Sequence, residues 1–278
     1  QYYYYDKTIL FNKMRIAAWE SDSDIMEASI QRLAEFLTSL DSGIDYEYLN
    51  TLYRGIELVP IPKSFKDREI DSDSIIINPL KENSVLEKVN FFIKAPVELL
   101  ILDTIWSLMI GKIAYDNTSI SEDSYANKIN KYIYNNSDHS LKTGINYDTN
   151  RFLVKYYDQY SAWREKAFST IEDRLNNEQD SILVSLDINS FFYSVVFNFD
   201  KLNELLNNDQ RLVELSPLTN IVKSIHINYT SEMKKYRGNI SADPAVGQSA
   251  FPLGLFSSLL LSNLYLRELD DHINNSSD

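Results

Sequence analysis

An α+β fold is predicted by two patterns that occur in separate stretches of the chain. Apolar residues at three- and four-residue steps mark helices, and short β-branched or aromatic runs bounded by Pro, Gly or Asp mark strands. Size is a third observation: 278 residues, 44% apolar and 13% aromatic, suffice for a core in one large or two modest domains.

Met26, Ile30, Leu33 and Leu37 follow the Asp- and Ser-rich start Ser21-Asp-Ser-Asp24. This is the pattern of an N-capped amphipathic helix that closes near Gly43. Gly55 to Lys63 reads as a short strand holding two prolines, which lack the N–H a ladder needs and so belong at an edge. The charged run Lys66 to Asp73 reads as a loop, and Ser74 to Asn78 and Val89 to Ile93 as strands. From Pro96 a helix follows, with Val97, Leu100, Ile101, Ile105, Leu108 and Met109 on its buried side. The polar stretch Asp116 to Asp123 marks a boundary.

Tyr157, Tyr160, Trp163, Ala167, Ile171 and Leu175 mark the next helix, ended by Asn176 to Asp180. Ser181 to Asp187 reads as a strand. Alternation sets Ile182, Val184 and Leu186 on one face and Leu183, Ser185 and Asp187 on the other, so the Asp187 carboxylate emerges at the strand end on the open side. A helix around Lys201 to Asn208 and a break at Ser216-Pro217 follow. Leu218, Ile221, Val222, Ile225 and Tyr229 then define a further helix, and the basic cluster Lys234 to Arg237 reads as a solvated loop. Pro252 and Gly254 open a long apolar helix from Ser257. The expected division is a helical extension over 1–54, a second region over 55–180 and a third over 181–278.

Composition excludes several chemistries. Without cysteine there is no disulfide, zinc knuckle, iron–sulfur site or thiol nucleophile. The three histidines, His139, His226 and His272, are widely separated and give no support for a His-rich metal site or a Ser/His/Asp triad. A net charge of −13 opposes a general polyanion-binding surface, so nucleic-acid contact requires positive charge concentrated locally. No signal-peptide pattern occurs at the start. Val97 to Tyr115 carries Glu98, Asp103 and Lys112, and Pro244 to Leu266 carries Gln248, Pro252, Gly254 and Asn263. Both stretches therefore read as buried helices of a protein without a membrane partner. The chain opens at Gln1 rather than methionine and closes soon after an apolar helix, and is read as a fragment.

Two segments carry chemistry when taken together. A carboxylate at a strand end, such as Asp187, suits Mg²⁺, which prefers oxygen ligands and often takes one or two carboxylates plus substrate phosphates. The order Asp-Ile-x-x-Phe-Phe places Phe192 five residues beyond that carboxylate. A ring at that spacing could stack below a nucleotide sugar and leave no space for a 2′-hydroxyl, while Phe191 reads as core. The second segment, Phe-Pro-Leu-Gly-Leu-Phe-Ser-Ser258, needs backbone freedom at Gly254. Each segment alone has an ordinary structural explanation, Asp187 as a turn or cap residue and Pro252 and Gly254 as a helix start.

In combination, Leu186-Asp-Ile-Asn-Ser-Phe-Phe-Tyr-Ser194 and Phe-Pro-Leu-Gly-Leu-Phe-Ser-Ser258 through Leu269-Asp270 resemble the first two palm motifs of bacterial reverse transcriptases of the defence-associated and abortive-infection group. Val-Pro-Ile-Pro-Lys63 looks like their fingers segment, and Asp123-Ser-Tyr-Ala-Asn-Lys128 is similar to their Ser-Tyr-Gly-x-Arg element. The resemblance implies a fingers–palm fold that is incomplete at its C-terminus, with residues 1–54 as an extension. It implies Asp187 as catalytic Mg²⁺ ligand, the Ile188 carbonyl as a second donor and Phe192 as the sugar gate. Pro252, Leu253 and Gly254 would contact the incoming dNTP or template pair, and Lys63 would reach its triphosphate.

The implied activity is RNA-directed DNA synthesis in an antiphage system of the bacterial cytoplasm. Its expected partners are dNTPs, an RNA template, a noncoding RNA, the DNA product and other copies of the chain. The chain departs from the family in three ways. Leu253 stands where glutamine is usual, and Lys128 stands where arginine would bind phosphate in a bidentate manner. The Tyr-x-Asp-Asp-like hairpin that supplies the remaining metal ligands is missing, since Asp270 and Asp271 read as the end of a helix. A catalytically silent RNA-binding or oligomerising scaffold is the first competing expectation. An unrelated helical interaction domain, with no sheet at Ser181 to Asp187, is the second. The tetrad Tyr2 to Tyr5 is a candidate site of protein priming.

Overall fold

The structure is a computed structural model that describes residues 10–40, 42–65, 86–117, 126–135, 141–145, 151, 153–185, 187–188, 191–195, 197–236 and 250–275. Among these the chain is mostly helical, with two antiparallel strand pairs, an α+β composition. Ser74 to Asn78, Tyr2 to Tyr5 and residues 123–125 of the Ser-Tyr element lie outside the described residues.

Helices α1 (Leu10–Ser21), α2 (Ser23–Ser39) and α3 (Tyr46–Arg54) come first. Asp22 starts α2 by accepting the Ile25 N–H at 3.1 Å, and Asp45 starts α3 by accepting the Tyr48 N–H at 3.0 Å. Each cap satisfies an N–H that the first helical turn leaves without a partner. Asp45 is held below the usual carboxylate range by that backbone bond and by Arg32. Of the expected apolar stripe on α2, Leu33 is buried with Phe36, while Ile30 is exposed.

Strands β1 (Glu57–Phe65) and β2 (Leu86–Lys94) form an antiparallel hairpin with Glu57 opposite Lys94. The register shifts between Pro62 and Ser64, so Lys63 sits at a bulge. Prolines at 60 and 62 are tolerated because β1 is an edge strand. β3 (Lys131–Asn135) pairs antiparallel with β4 (Leu141–Ile145).

Helix α4 (Val97–Asn117) is the central post. It packs against the two long C-terminal helices, α6 (Ser216–Tyr236) and α7 (Phe256–Asn275). Its buried residues include Leu99, Leu102, Trp106, Ile110 and Ile113, and Met109 is exposed, so the expected face is rotated. The reason is its position: α1, α2, α6 and α7 all contact it, and burial on several sides erases a single apolar stripe. The Trp106 indole N–H donates to Thr219 Oγ1 at 3.0 Å and ties α4 to α6.

α6 begins at Ser216 with Pro217 in its first turn, where a missing N–H costs nothing. Lys234 and Lys235 continue its last turn, so the expected loop is helical up to Tyr236. Asp270 and Asp271 lie within α7, as the sequence indicates. One cluster of buried residues runs from Ile16 through α4 to Leu264. No helix among the described residues is long and apolar enough to cross a membrane.

Candidate functional site

The two motif segments meet at the free edge of β2. On that edge Phe91 and Ile93 turn their backbone groups away from β1, and each group finds a specific partner. The Phe91 N–H donates to the Tyr193 hydroxyl at 2.8 Å, and the Phe91 carbonyl accepts the Tyr229 hydroxyl at 2.7 Å. The Ile93 N–H donates to the Leu253 carbonyl at 2.9 Å, and the Ile93 carbonyl accepts Asn12 Nδ2 at 3.3 Å. An edge strand left bare would cost these bonds, so the turn at Leu253 acts as a one-residue strand, bridged in parallel to Phe92. Burial pushes the Tyr193 hydroxyl up to about 12 and raises that of Tyr229 as well, so both remain protonated.

Phe192 is half-buried at this junction. Its carbonyl accepts the Phe251 N–H at 2.9 Å, and its ring lies 6.2 Å from that of Phe251 in an edge-to-face arrangement. Phe251 is wholly buried and also touches Phe191 and Phe197. Phe191 is half-buried and meets Tyr265, in agreement with a packing role. Pro252 is buried, and its carbonyl accepts the Ser258 hydroxyl at 2.6 Å. Gly254 has φ of +108°, a conformation that L side chains rarely adopt. A Cβ there would meet Asn12 and Ile93 only at ordinary distances, so backbone conformation, not space, calls for glycine.

The start of α7 is fixed by a buried network that reading the sequence missed. Asp103, wholly buried on α4, accepts the Phe256 N–H at 2.9 Å and the Ser257 N–H at 3.3 Å, capping α7 from another helix. His226 Nε2 lies 2.9 Å from Ser257 Oγ. His226 Nδ1 and Asp103 Oδ1 are buried without a hydrogen-bond partner among the described residues. Burial raises the Asp103 carboxyl to about 6 against the lowering effect of Ser257 and Phe256, and burial drops His226 to about 3. Asp, Ser and His adjoin here, but all three are sealed from solvent and Ser257 stands in the middle, so the set is a structural clasp. The readable signal was Asp103 itself, a carboxylate inside an apolar helix.

The expected strand at Ser181 to Asp187 is not formed: 181–185, 187 and 188 are neither strand nor helix. Ile182, Leu183 and Val184 are 91%, 62% and 69% exposed, and no strand among the described residues pairs with them. Asp187 and Ile188 are exposed as well. Lys63 is exposed on its bulge. The Lys128 N–H donates to Gln159 Oε1 at 2.9 Å, and its carbonyl accepts the Val154 N–H at 2.9 Å, so the backbone of that residue anchors the helix α5 (Tyr156–Asn176). Phe192, Pro252, Leu253 and Gly254 therefore come together, and Lys63 and Lys128 lie on separate elements.

Among the described residues no group of three or more His, Asp or Glu is placed to hold a metal ion. Asp187 and the Ile188 carbonyl are too few donors for a Mg²⁺ site by themselves. Comparison of the chain with protein-family models, with curated proteins and with solved structures returns no match.

Proposed function

We propose that this chain carries the fingers and the first half of the palm of an RNA-directed DNA polymerase. The carrying observation is the junction at the β2 edge, where the Phe192 carbonyl holds the Phe251 N–H and the Leu253 carbonyl holds the Ile93 N–H. Three segments distant in sequence, the Pro-containing hairpin, the Asp-Ile-x-x-Phe-Phe run and the Phe-Pro-Leu-Gly turn, thereby border one location. A gate ring at Phe192 beside a conformationally specialised Gly254 suits a nucleotide pocket bounded by backbone. In this reading Asp187 supplies one carboxylate of the reaction centre, and further carboxylates must come from outside the described residues. The substrates are dNTPs and an RNA template, the product is DNA, and the setting is antiphage defence in a bacterial cytoplasm with a noncoding RNA as partner.

A second reading, a polymerase-like scaffold without catalysis, is favoured by the single carboxylate and by the exposed apolar run at 182–184. The lack of a strand over 181–185 is also what a helical interaction domain would show. One experiment separates the polymerase from the other two. The full-length protein is incubated with labelled dNTPs, with its copurified nucleic acid present, and Asp187→Ala is compared with wild type. The polymerase reading expects synthesis in the wild type and loss of at least about a thousandfold in the variant, on the scale of removing a group that stabilises transition-state charge. Synthesis undiminished in Asp187→Ala rejects the site, and no synthesis by the wild type leaves the scaffold or the interaction domain.

A further inference from the structure

Helix α5 presents an exposed aromatic stripe, whose rings at Tyr160 and Trp163 are about half accessible. Tyr156, Tyr160 and Trp163 follow one another at four- and three-residue steps and so lie along one side of the helix. They are 53%, 44% and 47% exposed, and they touch in series: Tyr156 stacks on Tyr160 at 6.1 Å, and Tyr160 meets Trp163 at 5.7 Å. A helix that hid this stripe in the core would be ordinary, but Gln159 is the buried residue of α5.

Charge is segregated around the same axis. At 3.6 residues per turn, Arg174 falls in line with Tyr156, and Arg164 and Lys166 flank the stripe. Asp158, Glu165 and Glu172 fall on the far side, while Asp173 falls beside Lys166 on the flank. None of the three cations is engaged in an ion pair among the described residues. Lys166 and Arg174 also border a shallow groove of about 390 Å³ that continues past Trp163 to Ala167, Ile171 and the extended Ser181 to Leu183. Helix α5 is therefore bipolar, with rings and cations on one side and most of its carboxylates on the other, within a chain of net charge −13.

We infer that this face is a docking surface for a single-stranded polynucleotide, whose bases stack on Tyr160 and Trp163 while Arg164, Lys166 and Arg174 track its phosphates. Rings offer stacking to any base, and cations spaced along the helix supply the salt-dependent part of the affinity. A protein partner with an apolar face would leave Lys166 and Arg174, which border the groove, without anions to pair with, whereas a polynucleotide supplies a phosphate for each stacked base. The surface is separate from Asp187, and the inference does not rest on the polymerase reading.

The test is fluorescence anisotropy of labelled oligouridylate and oligothymidylate with the full chain, over a series of salt concentrations. Trp163 emission serves as a second readout. Wild type is expected to bind with quenching of Trp163. The double variant Tyr160→Ala, Trp163→Ala should weaken binding by about tenfold or more, with the salt slope retained. Lys166→Gln with Arg174→Gln should keep the stacking quench and flatten the slope by about 1.4. Unchanged circular dichroism is expected for both variants, since every substituted side chain is exposed.

Absence of oligonucleotide binding by wild type, or equal binding by wild type and the ring variant, overturns the inference. So does a result in which the ring variant alters only self-association in sedimentation, which would make the face a protein interface. Asp187→Ala should bind like wild type, so loss of synthesis with binding intact, or the reverse, tells a failed polymerase from a failed docking surface.

Discussion

At the scale of single residues, the clearest chemistry is the buried contact of Asp103, Ser257 and His226. Their titrations oppose each other. Asp103, raised to about 6 from 3.8, binds its proton more tightly when folded, so its contribution is complete below about 4 and is lost as pH rises through 6. His226, lowered to about 3 from 6.5, contributes above 6.5 and loses that contribution as pH falls toward 3. Between about pH 4 and 6 the two slopes, each about 1.4 kcal/mol per pH unit, nearly cancel. His226→Gln keeps a polar partner for Ser257 and removes one slope. Relative to wild type, the variant should gain about 2 to 3 kcal/mol as pH falls from 6 to 4. Urea unfolding at the two pH values checks this, since Asp45, Glu57 and other carboxylates contribute equally to both proteins. Parallel stability curves would show that the two groups are not buried as described.

At the scale of elements, the edge of β2 decides how the segments join. The elements that were readable from the sequence each carry a local signal: α2, α5 and α6 three- and four-residue steps, α7 a Pro/Gly start before an apolar run, β1 and β2 short β-branched runs. The cap at Asp22 was equally local. What could not be read is the sealing of Phe91 and Ile93 by Tyr193, Tyr229, Asn12 and Leu253, because hydroxyls and turns from four other segments have no shared sequence pattern. The buried face of α4 was misassigned for a related reason, since a helix enclosed by several neighbours shows little amphipathicity. The strand expected at 181–187 failed because alternation specifies a face but cannot supply the neighbour that makes a strand. Of the residues that the resemblance groups, Phe192, Pro252, Leu253 and Gly254 adjoin at the β2 edge, whereas Lys63 and Lys128 lie on other elements.

The sealed edge makes its own prediction. Tyr229→Phe removes the hydroxyl that the Phe91 carbonyl accepts at 2.7 Å and leaves that carbonyl buried without a donor. The expected loss is about 1 to 3 kcal/mol in unfolding free energy. Tyr46→Phe, at a tyrosine 67% exposed, should change stability by no more than about 0.5 kcal/mol. Equal effects of the two substitutions in chemical denaturation would mean that the β2 edge is solvated rather than sealed.

At the scale of the whole molecule, a well-packed centre of α4, α6 and α7 carries an exposed apolar arm. Ile182, Leu183 and Val184 are adjacent and mostly exposed, at the exit of α5 and just before Asp187. An uncovered run of this kind invites strand pairing between molecules, and a net charge of −13 opposes it only through long-range repulsion that salt screens. Ile182→Glu combined with Val184→Glu adds charge where little surface is buried. If the arm is uncovered in solution, the unfolding free energy of this 278-residue chain should shift by no more than about 1 kcal/mol for the pair, and salt-dependent association in sedimentation should fall. A loss of about 3 kcal/mol or more would instead place both side chains in a packed strand. That outcome would return Asp187 to the strand end that alternation assigns it, and so would bear directly on the polymerase reading.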